Sequence, residues 1–248
     1  MPSYCVQREP TREYLSCVAR EEELIRLQNV MKTQKSLLLF GPEGVGKSRL
    51  LRAFVNSQPL ALYVEQTDSP RDLLLALLRE LNSTTKGQQV PGNYKSLSSS
   101  SLKGITHRVL DAKPFVMVLD HLAGPSRVLT GMIKDLHYYG RTPVIFASRS
   151  AHMEDIGTLQ PLCALKSERL ELKNWPQHIA LEFAQREAEK AGLLASNLDS
   201  VLPSLVEWSD GNPFAILTMV KMVKSPQYRV GDQIKSHILY LDYRMGRR

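Results

Sequence analysis

The segment 41–48 has the residue types and the spacing that hold a phosphate group. It reads Gly41-Pro42-Glu43-Gly44-Val45-Gly46-Lys47-Ser48 and follows the pattern G-x-x-x-x-G-K-S. Glycine lets the backbone turn tightly and bring its N–H groups close to phosphate oxygens. In this pattern the lysine ammonium neutralises the β- and γ-phosphates, and the serine hydroxyl is a ligand of Mg²⁺. The segment therefore predicts a site for a nucleoside triphosphate such as ATP, with Mg²⁺.

A second candidate residue, Asp120, ends the apolar run 115–119. Parallel strands bring their carboxyl ends to one edge of a sheet, so a carboxylate there lies beside a phosphate loop and holds Mg²⁺ through water. An aspartate at a strand end can also cap the next turn. The phosphate loop upstream favours the metal role, and we predict Ser48 and Asp120 as the residues that hold Mg²⁺.

Hydrolysis of a triphosphate requires a group that orients or deprotonates water, and the sequence offers two. His121 directly follows Asp120, and an imidazole acts as a base near neutral pH. Glu65 ends another apolar run, 60–64, and its carboxylate is the alternative base. The residues do not decide between them. Arg149 follows a later apolar run, where a guanidinium stabilises charge on the γ-phosphate.

Short apolar runs alternate with helical patterns along the first 174 residues. Runs of four or five apolar residues with polar flanks predict strands that are buried on both faces of a parallel sheet. These runs are 36–40, 60–64, 115–119 and 143–147, and 169–172 is a fifth candidate strand. Apolar residues at helical spacing predict helices between them, at 20–32, 49–55, 70–81 and 102–110. The alternation predicts an α/β fold in which helices cover a parallel sheet.

Two further regions differ in composition from this alternating pattern. The segment 82–101 is rich in Ser, Thr, Gly, Gln and Asn, which predicts a long functional loop. After Trp175 the pattern is helical only, with Pro176 at a helix start and Gly192 at its end. We therefore expect a boundary near Asn174, between an α/β core and a small helical domain.

Composition excludes several classes of protein. Hydrophobic residues make up 43% of the 248 residues and charged residues 23%, the balance of an ordinary globular domain. No apolar run approaches the roughly 18 residues that span a bilayer, and the N-terminus lacks the apolar stretch of a secretory signal. The three cysteines are scattered, which indicates a reduced compartment. We expect a cytoplasmic protein with no membrane partner.

The positive charge is concentrated towards the C-terminus. The chain carries a net charge of +7, and the segment 213–248 holds seven basic residues against two acidic ones. Such an asymmetry favours a polyanionic or acidic partner, and it is equally typical of a solubilising surface. DNA is therefore one candidate partner of the basic C-terminal segment.

In their order along the chain, these motifs resemble those of the AAA+ and STAND class of P-loop ATPases, which includes archaeal-type and origin-recognition-like ATPases. The matching stretches are 19–24, 41–48, 116–120, 145–149 and 211–215. They are similar, in that order, to the family's N-terminal stretch near the adenine, Walker A, Walker B, the sensor strand and the proline motif of the helical lid. The resemblance covers roughly residues 18–224.

The resemblance implies a parallel sheet of order 5-1-4-3-2, a small helical lid, and ATP and Mg²⁺ as cofactors. It also implies that Arg20 and Pro213 lie near the base and that Arg49 lies beside the phosphate loop. The expected domains are an N-terminal extension at 1–17, the ATPase core at 18–174, the lid at 175–226 and a basic tail at 227–248. Arg141 and Arg149 are the candidates for an arginine finger.

One departure from the family pattern bears on activity, because His121 stands where the family usually has an acidic residue. Two functions follow. The first is an ATP-hydrolysing switch that forms homo-oligomers and remodels or recruits a DNA-bound or protein partner. The second is a nucleotide-dependent switch that regulates a separate protein, with weak or no hydrolysis and no DNA binding. A small-molecule kinase ranks third, because the lid region 174–213 has only one arginine.

Overall fold

A computed structural model describes residues 19–84 and 90–246 of the chain. The predicted N-terminal extension, residues 85–89 of the predicted loop and the last two residues of the basic tail lie outside the described residues. The chain divides into two compact units. The first comprises the described residues up to Gly41 together with 47–171, and the second comprises 42–46 together with residues from Leu172 onward.

Five parallel strands form the sheet of the first unit. They are β1 (Leu37–Phe40), β2 (Ala61–Val64), β3 (Val116–Leu119), β4 (Val144–Ser148) and β5 (Arg169–Glu171). Their order is β2-β3-β4-β1-β5, which is the predicted order read from the other edge. The apolar runs form strands because both faces of the sheet are covered, so polar alternation is absent. The predicted α/β fold is confirmed.

Among the described residues, six α-helices belong to the first unit. They are α1 (Glu21–Thr33), α2 (Lys47–Ser57), α3 (Pro70–Thr84), α4 (Ser99–Asp111), α5 (Arg127–Tyr139) and α6 (Met153–Ile156). One continuous apolar core joins Leu38, Met117 and Phe146 of the sheet to Leu74 and Leu77 of α3, all of them fully buried. This packing fixes the strand ends that carry the candidate site residues.

The serine-rich part of the predicted loop is a helix start. Residues 82–84 at the start of the predicted loop belong to α3, and the described segment 90–98 is irregular apart from a 3-10 turn at Tyr94–Ser96. Ser98 is the N-cap of α4, and its Oγ accepts a hydrogen bond of 3.2 Å from the backbone N of Ser101. Serine hydroxyls satisfy the unpaired amides of a first helical turn. The hydroxyls that predicted a loop therefore start α4 three residues before its expected position.

The second unit contains four helices and a small hairpin. The helices are α7 (Gln177–Lys190), α8 (Leu198–Trp208), α9 (Pro213–Met222) and α10 (Ser236–Arg244). The antiparallel hairpin between α9 and α10 consists of β6 (Arg229–Val230) and β7 (Gln233–Ile234). The described part of the predicted tail, 227–246, forms β6, β7 and α10. Within it, Tyr228, Ile234 and Leu239 are buried in the core of this unit. Strands of two residues are too short to give a periodic pattern. Across the described ranges, no helix has the length and apolar character needed to cross a membrane.

Candidate functional site

The phosphate loop connects β1 to α2 through backbone conformations that need glycine. Gly44 has φ +79° and Gly46 has φ +102°, which are conformations that residues with a Cβ rarely adopt. Helix α2 begins at Lys47, so the amides of its first turn have no carbonyl partner within the helix. These amides and the helix dipole favour an anion. The local structure therefore has the features of an anion site.

The lysine side chain of the loop is held in place by the loop itself. Lys47 Nζ donates a hydrogen bond of 2.6 Å to the backbone O of Gly41. The contact keeps the ammonium at the loop, where it can interact with an anion. The next residue, Ser48, lies in the first turn of α2, and its Oγ is 3.2 Å from Nε2 of His121. The structure thus brings Ser48 and His121 together.

The Asp120 carboxylate is buried and oriented at the end of β3. Its side chain is only 1% exposed, and each of its oxygens accepts a hydrogen bond. Oδ1 accepts one of 2.9 Å from the backbone N of His121, and Oδ2 accepts one of 2.8 Å from the Tyr63 hydroxyl. Each oxygen has a second lone pair, so the carboxylate can also bind water or a cation.

Sequence reasoning missed Tyr63 and Arg52 as members of this site. Arg52 Nε lies 3.4 Å from the Tyr63 hydroxyl, and its guanidinium lies 5.7 Å from the centre of the ring. Burial raises the pKa of Tyr63 to about 12, the hydrogen bond from Arg52 opposes this shift, and the hydrogen bond to Asp120 adds to it. The phenol therefore remains protonated at neutral pH and acts as a donor. The missed signal was a polar hydroxyl in an otherwise apolar strand.

The two candidate bases have different surroundings. The carboxylate of Glu65 forms an ion pair of 2.6 Å with Arg52 Nη2, and both side chains are more than half exposed. His121 adopts a left-handed backbone conformation with φ +53°. Its Nε2 lies 3.2 Å from Ser48 Oγ and 3.6 Å from Asp120 Oδ2. Only His121 therefore contacts the two residues predicted to hold Mg²⁺.

The remaining predicted residues of the first unit lie at separate places. Arg20 is buried at the N-cap of α1, and its Nη1 forms an ion pair of 2.9 Å with Glu23. Arg49 is exposed on α2, and Arg149 is exposed directly after β4. Arg141 is also exposed.

Within the second unit, the tip of the phosphate loop contacts the start of α9. Asn212 is the N-cap of α9, and its Nδ2 donates a hydrogen bond of 2.9 Å to the backbone O of Glu43. The backbone N of Phe214 donates one of 3.2 Å to the O of Gly44. Pro213 is the first residue of α9. Sequence reasoning singled out Pro213 but missed Asn212, whose role as an N-cap was readable from its position before a proline.

Replacing Gly44 with alanine is expected to destabilise the loop by about 2 kcal/mol or more, since its φ is left-handed. An added Cβ would also lie 2.7 Å from Asn212 Oδ1 and 2.7 Å from Phe214 Cβ. The control is Gly104→Ala in α4, where nothing lies within 4 Å. Thermal unfolding measures both variants. Equal unfolding temperatures for Gly44→Ala and the wild type would contradict this account.

The donor set at the ends of α2 and β3 fits Mg²⁺. This cation binds oxygen, keeps several waters and uses one or two protein ligands together with substrate phosphates. A serine hydroxyl and a buried, ordered carboxylate supply this chemistry, at Ser48 and Asp120. Among residues 19–84 and 90–246, no cluster of three or more His, Cys, Asp or Glu side chains could hold a metal by itself.

Comparison with known proteins gives a family match and several similar folds. The profile of a family described as an AAA domain matches residues 29–139. No curated protein matches the chain significantly. A Walker-type ATPase of Pyrococcus abyssi has a TM-score of 0.57 and 22% identity, over 81% of this chain and 66% of that one.

Two further solved structures have the same fold at lower identity. The Orc1 protein of Aeropyrum pernix, in complex with DNA, has a TM-score of 0.63 and 16% identity, over 92% of this chain and 65% of that one. A RuvB variant of Thermotoga maritima has a TM-score of 0.57 and 14% identity, over 92% and 67%. The chain spans about two thirds of the length of these structures. Residues 29–139 thus match the AAA domain family, and the chain has the P-loop NTPase fold of these solved structures.

Proposed function

We propose that the protein binds ATP with Mg²⁺, hydrolyses it to ADP, and uses the difference between the two states as a switch. One observation carries the proposal. The first turn of α2, with Lys47 and Ser48, meets the buried carboxylate of Asp120 through His121. Anion-binding amides, a lysine, a hydroxyl and a carboxylate are the groups that hold a magnesium triphosphate.

Each residue of the proposed site has a distinct part. The amides of 41–48 bind the phosphates, and Pro42, Glu43 and Val45 shape that loop. The Lys47 ammonium binds the β- and γ-phosphates, while Ser48 and Asp120 hold Mg²⁺, which neutralises phosphate charge. Arg149 stabilises charge on the γ-phosphate. In the family arrangement, Arg20 and Pro213 lie near the base and Arg49 follows the loop.

For hydrolysis, we propose His121 as the base. Its Nε2 takes a proton from water as the water oxygen bonds to the γ-phosphorus, and the bond to the bridging oxygen of ADP breaks. The exposed imidazole beside Ser48 supports this role. Glu65 is the less suitable base, because its carboxylate is already paired with Arg52 at 2.6 Å.

We further propose that the switch forms homo-oligomers and acts on a DNA-bound partner. Support comes from the basic C-terminal segment, in which Lys221, Lys224 and Arg244 are exposed. The described exposed lysines and arginine are suited to phosphate contacts, which weaken steeply with salt. Proteins of the same fold include one solved in complex with DNA.

A second candidate is a switch that regulates a separate protein without DNA. It is favoured by three apolar side chains on α5 that are more than half exposed, Val128, Tyr138 and Tyr139. Large exposed apolar groups are suited to a protein interface. A partner that co-purifies in one nucleotide state only would support this candidate.

His121→Ala is expected to lower kcat by about a hundredfold, the usual contribution of a general base. Glu65→Ala is expected to change kcat by less than about threefold, because exposed ion pairs contribute little. Steady-state phosphate release measures both variants. Wild-type turnover in His121→Ala would remove His121 from the mechanism, and a large loss in Glu65→Ala with an unchanged requirement for Mg²⁺ would make Glu65 the base.

Phosphate release with and without duplex DNA, together with a DNA-retention assay at several salt concentrations, separates the two candidate functions. A DNA-acting switch is retained on duplex DNA at low salt, is released as salt rises, and shows a changed rate of hydrolysis with DNA. A protein-regulating switch shows neither effect.

A further inference from the structure

A side-chain hydrogen bond joins the carboxyl ends of β2 and β3, in addition to the backbone pairing of the two strands. The Tyr63 hydroxyl donates to Asp120 Oδ2 at 2.8 Å, across a separation of 57 residues in the chain. Because the other oxygen, Oδ1, accepts from the backbone N of His121 at 2.9 Å, the carboxylate is fixed at both ends. Only 1% of the Asp120 side chain is exposed, so these two hydrogen-bond donors, and not surrounding solvent, determine the orientation of the carboxylate.

Tyr63 is itself held by a second layer of contacts. Arg52 Nε lies 3.4 Å from the phenol oxygen, and the guanidinium lies 5.7 Å from the ring centre. Arg52 Nη2 in turn pairs with Glu65 at 2.6 Å. The four side chains form a continuous row from the exposed Glu65 to the buried Asp120. Each contact restricts the rotamer of the next side chain.

Cation binding at Asp120 depends on the fact that Tyr63, and not Arg52, is its direct neighbour in this row. A guanidinium placed directly on Asp120 would neutralise the carboxylate and compete with a metal ion for it. A phenol is a neutral donor, so it orients the carboxylate and leaves its negative charge intact. In metal sites, such outer partners change metal affinity by about tenfold to a hundredfold when removed.

We propose that Tyr63 is a positioning residue that orients Asp120 for the divalent cation accompanying the nucleotide. The inference rests on the function proposed above. The Tyr63 hydroxyl contacts Asp120 and Arg52, so Tyr63 acts on the cation through Asp120. Its removal therefore changes the requirement for the cation and leaves nucleotide binding without a cation unchanged.

The test is Tyr63→Phe, which removes one hydroxyl and keeps the ring beside Arg52. The affinity for a fluorescent ATP analogue is titrated over a range of Mg²⁺ concentrations and again in excess EDTA. We expect the Mg²⁺ concentration for half-maximal enhancement to rise by about tenfold or more, with affinity in EDTA as in the wild type. Mn²⁺ binding to the ADP complex, followed by electron paramagnetic resonance, should weaken in parallel.

Tyr228→Phe in the second unit is the matched control. Its hydroxyl also donates to an aspartate, Asp242 Oδ2 at 3.1 Å, so the same type of bond is lost away from the site. We expect this variant to keep the wild-type requirement for Mg²⁺.

An unchanged Mg²⁺ requirement in Tyr63→Phe, with ATP binding intact, overturns the role of Tyr63 alone. A wild-type protein that binds no nucleotide in either condition overturns the proposed function, and the role of Tyr63 with it. Equal losses in Tyr63→Phe and Tyr228→Phe would show a general loss of stability and would also overturn the positioning role.

Discussion

Lys47→Ala is expected to weaken ATP binding by a hundredfold or more. A unit charge about 4 Å from a phosphate charge contributes about 4 kcal/mol near a protein surface, and partial exposure lowers this to the range that a hundredfold loss represents. The hydrogen bond from Lys47 Nζ to Gly41 O at 2.6 Å already holds the ammonium at the loop. Little conformational entropy is therefore lost when the phosphates bind. Isothermal titration with ATP measures the effect.

Lys35→Ala is the matched control for this variant. Lys35 is an exposed lysine that precedes β1 and lies outside the loop, so its removal changes the net charge by the same amount. We expect its affinity for ATP to stay near that of the wild type. A Lys47→Ala protein that binds ATP as the wild type does would contradict the assignment of the phosphate loop.

Asp120→Asn is expected to abolish Mg²⁺-dependent hydrolysis, with a loss of about a hundredfold or more, as for other groups that stabilise charge at a reacting centre. Asparagine has nearly the same shape, but it carries no charge for the cation and can accept only one of the two hydrogen bonds that Asp120 accepts. Nucleotide binding in EDTA should persist, because the loop and Lys47 are unchanged. Phosphate release with varied Mg²⁺ measures the first effect, and nucleotide titration measures the second.

Thermal unfolding measures the stability of the same variant, independently of its activity. Because an amide has only one acceptor oxygen, Asp120→Asn cannot accept both hydrogen bonds that the carboxylate accepts, and we expect a loss of stability of about 1 kcal/mol without Mg²⁺. Unchanged hydrolysis in Asp120→Asn would exclude Asp120 from the metal site.

The sheet and the phosphate loop were predictable because local sequence determines both. Four of the five strands, β1 to β4, lie in short apolar runs, which are typical of strands buried on both faces. The loop requires glycine at Gly44 and Gly46 for conformational reasons that apply within a few residues. The sheet order came from the resemblance, and the structure confirms it.

The partners within the site were not predictable, because they depend on contacts between distant segments. In the run 60–64, Tyr63 reads as one more large strand residue, and only the pairing of β2 with β3 brings its hydroxyl to Asp120. Glu65 reads as a free carboxylate until α2 brings Arg52 to it. The hairpin of β6 and β7 was missed because strands of two residues have no measurable period.

The position of β1 between β4 and β5 delays its pairing during synthesis on the ribosome. Both neighbours of β1 come late, since Leu37 pairs with Ile145 and Leu38 pairs with Arg169. At roughly 5–20 residues per second, translation needs roughly 5–20 s to supply the first of them. Until then an apolar strand remains without lateral partners, which exposes the nascent chain to aggregation and makes it a substrate for chaperones.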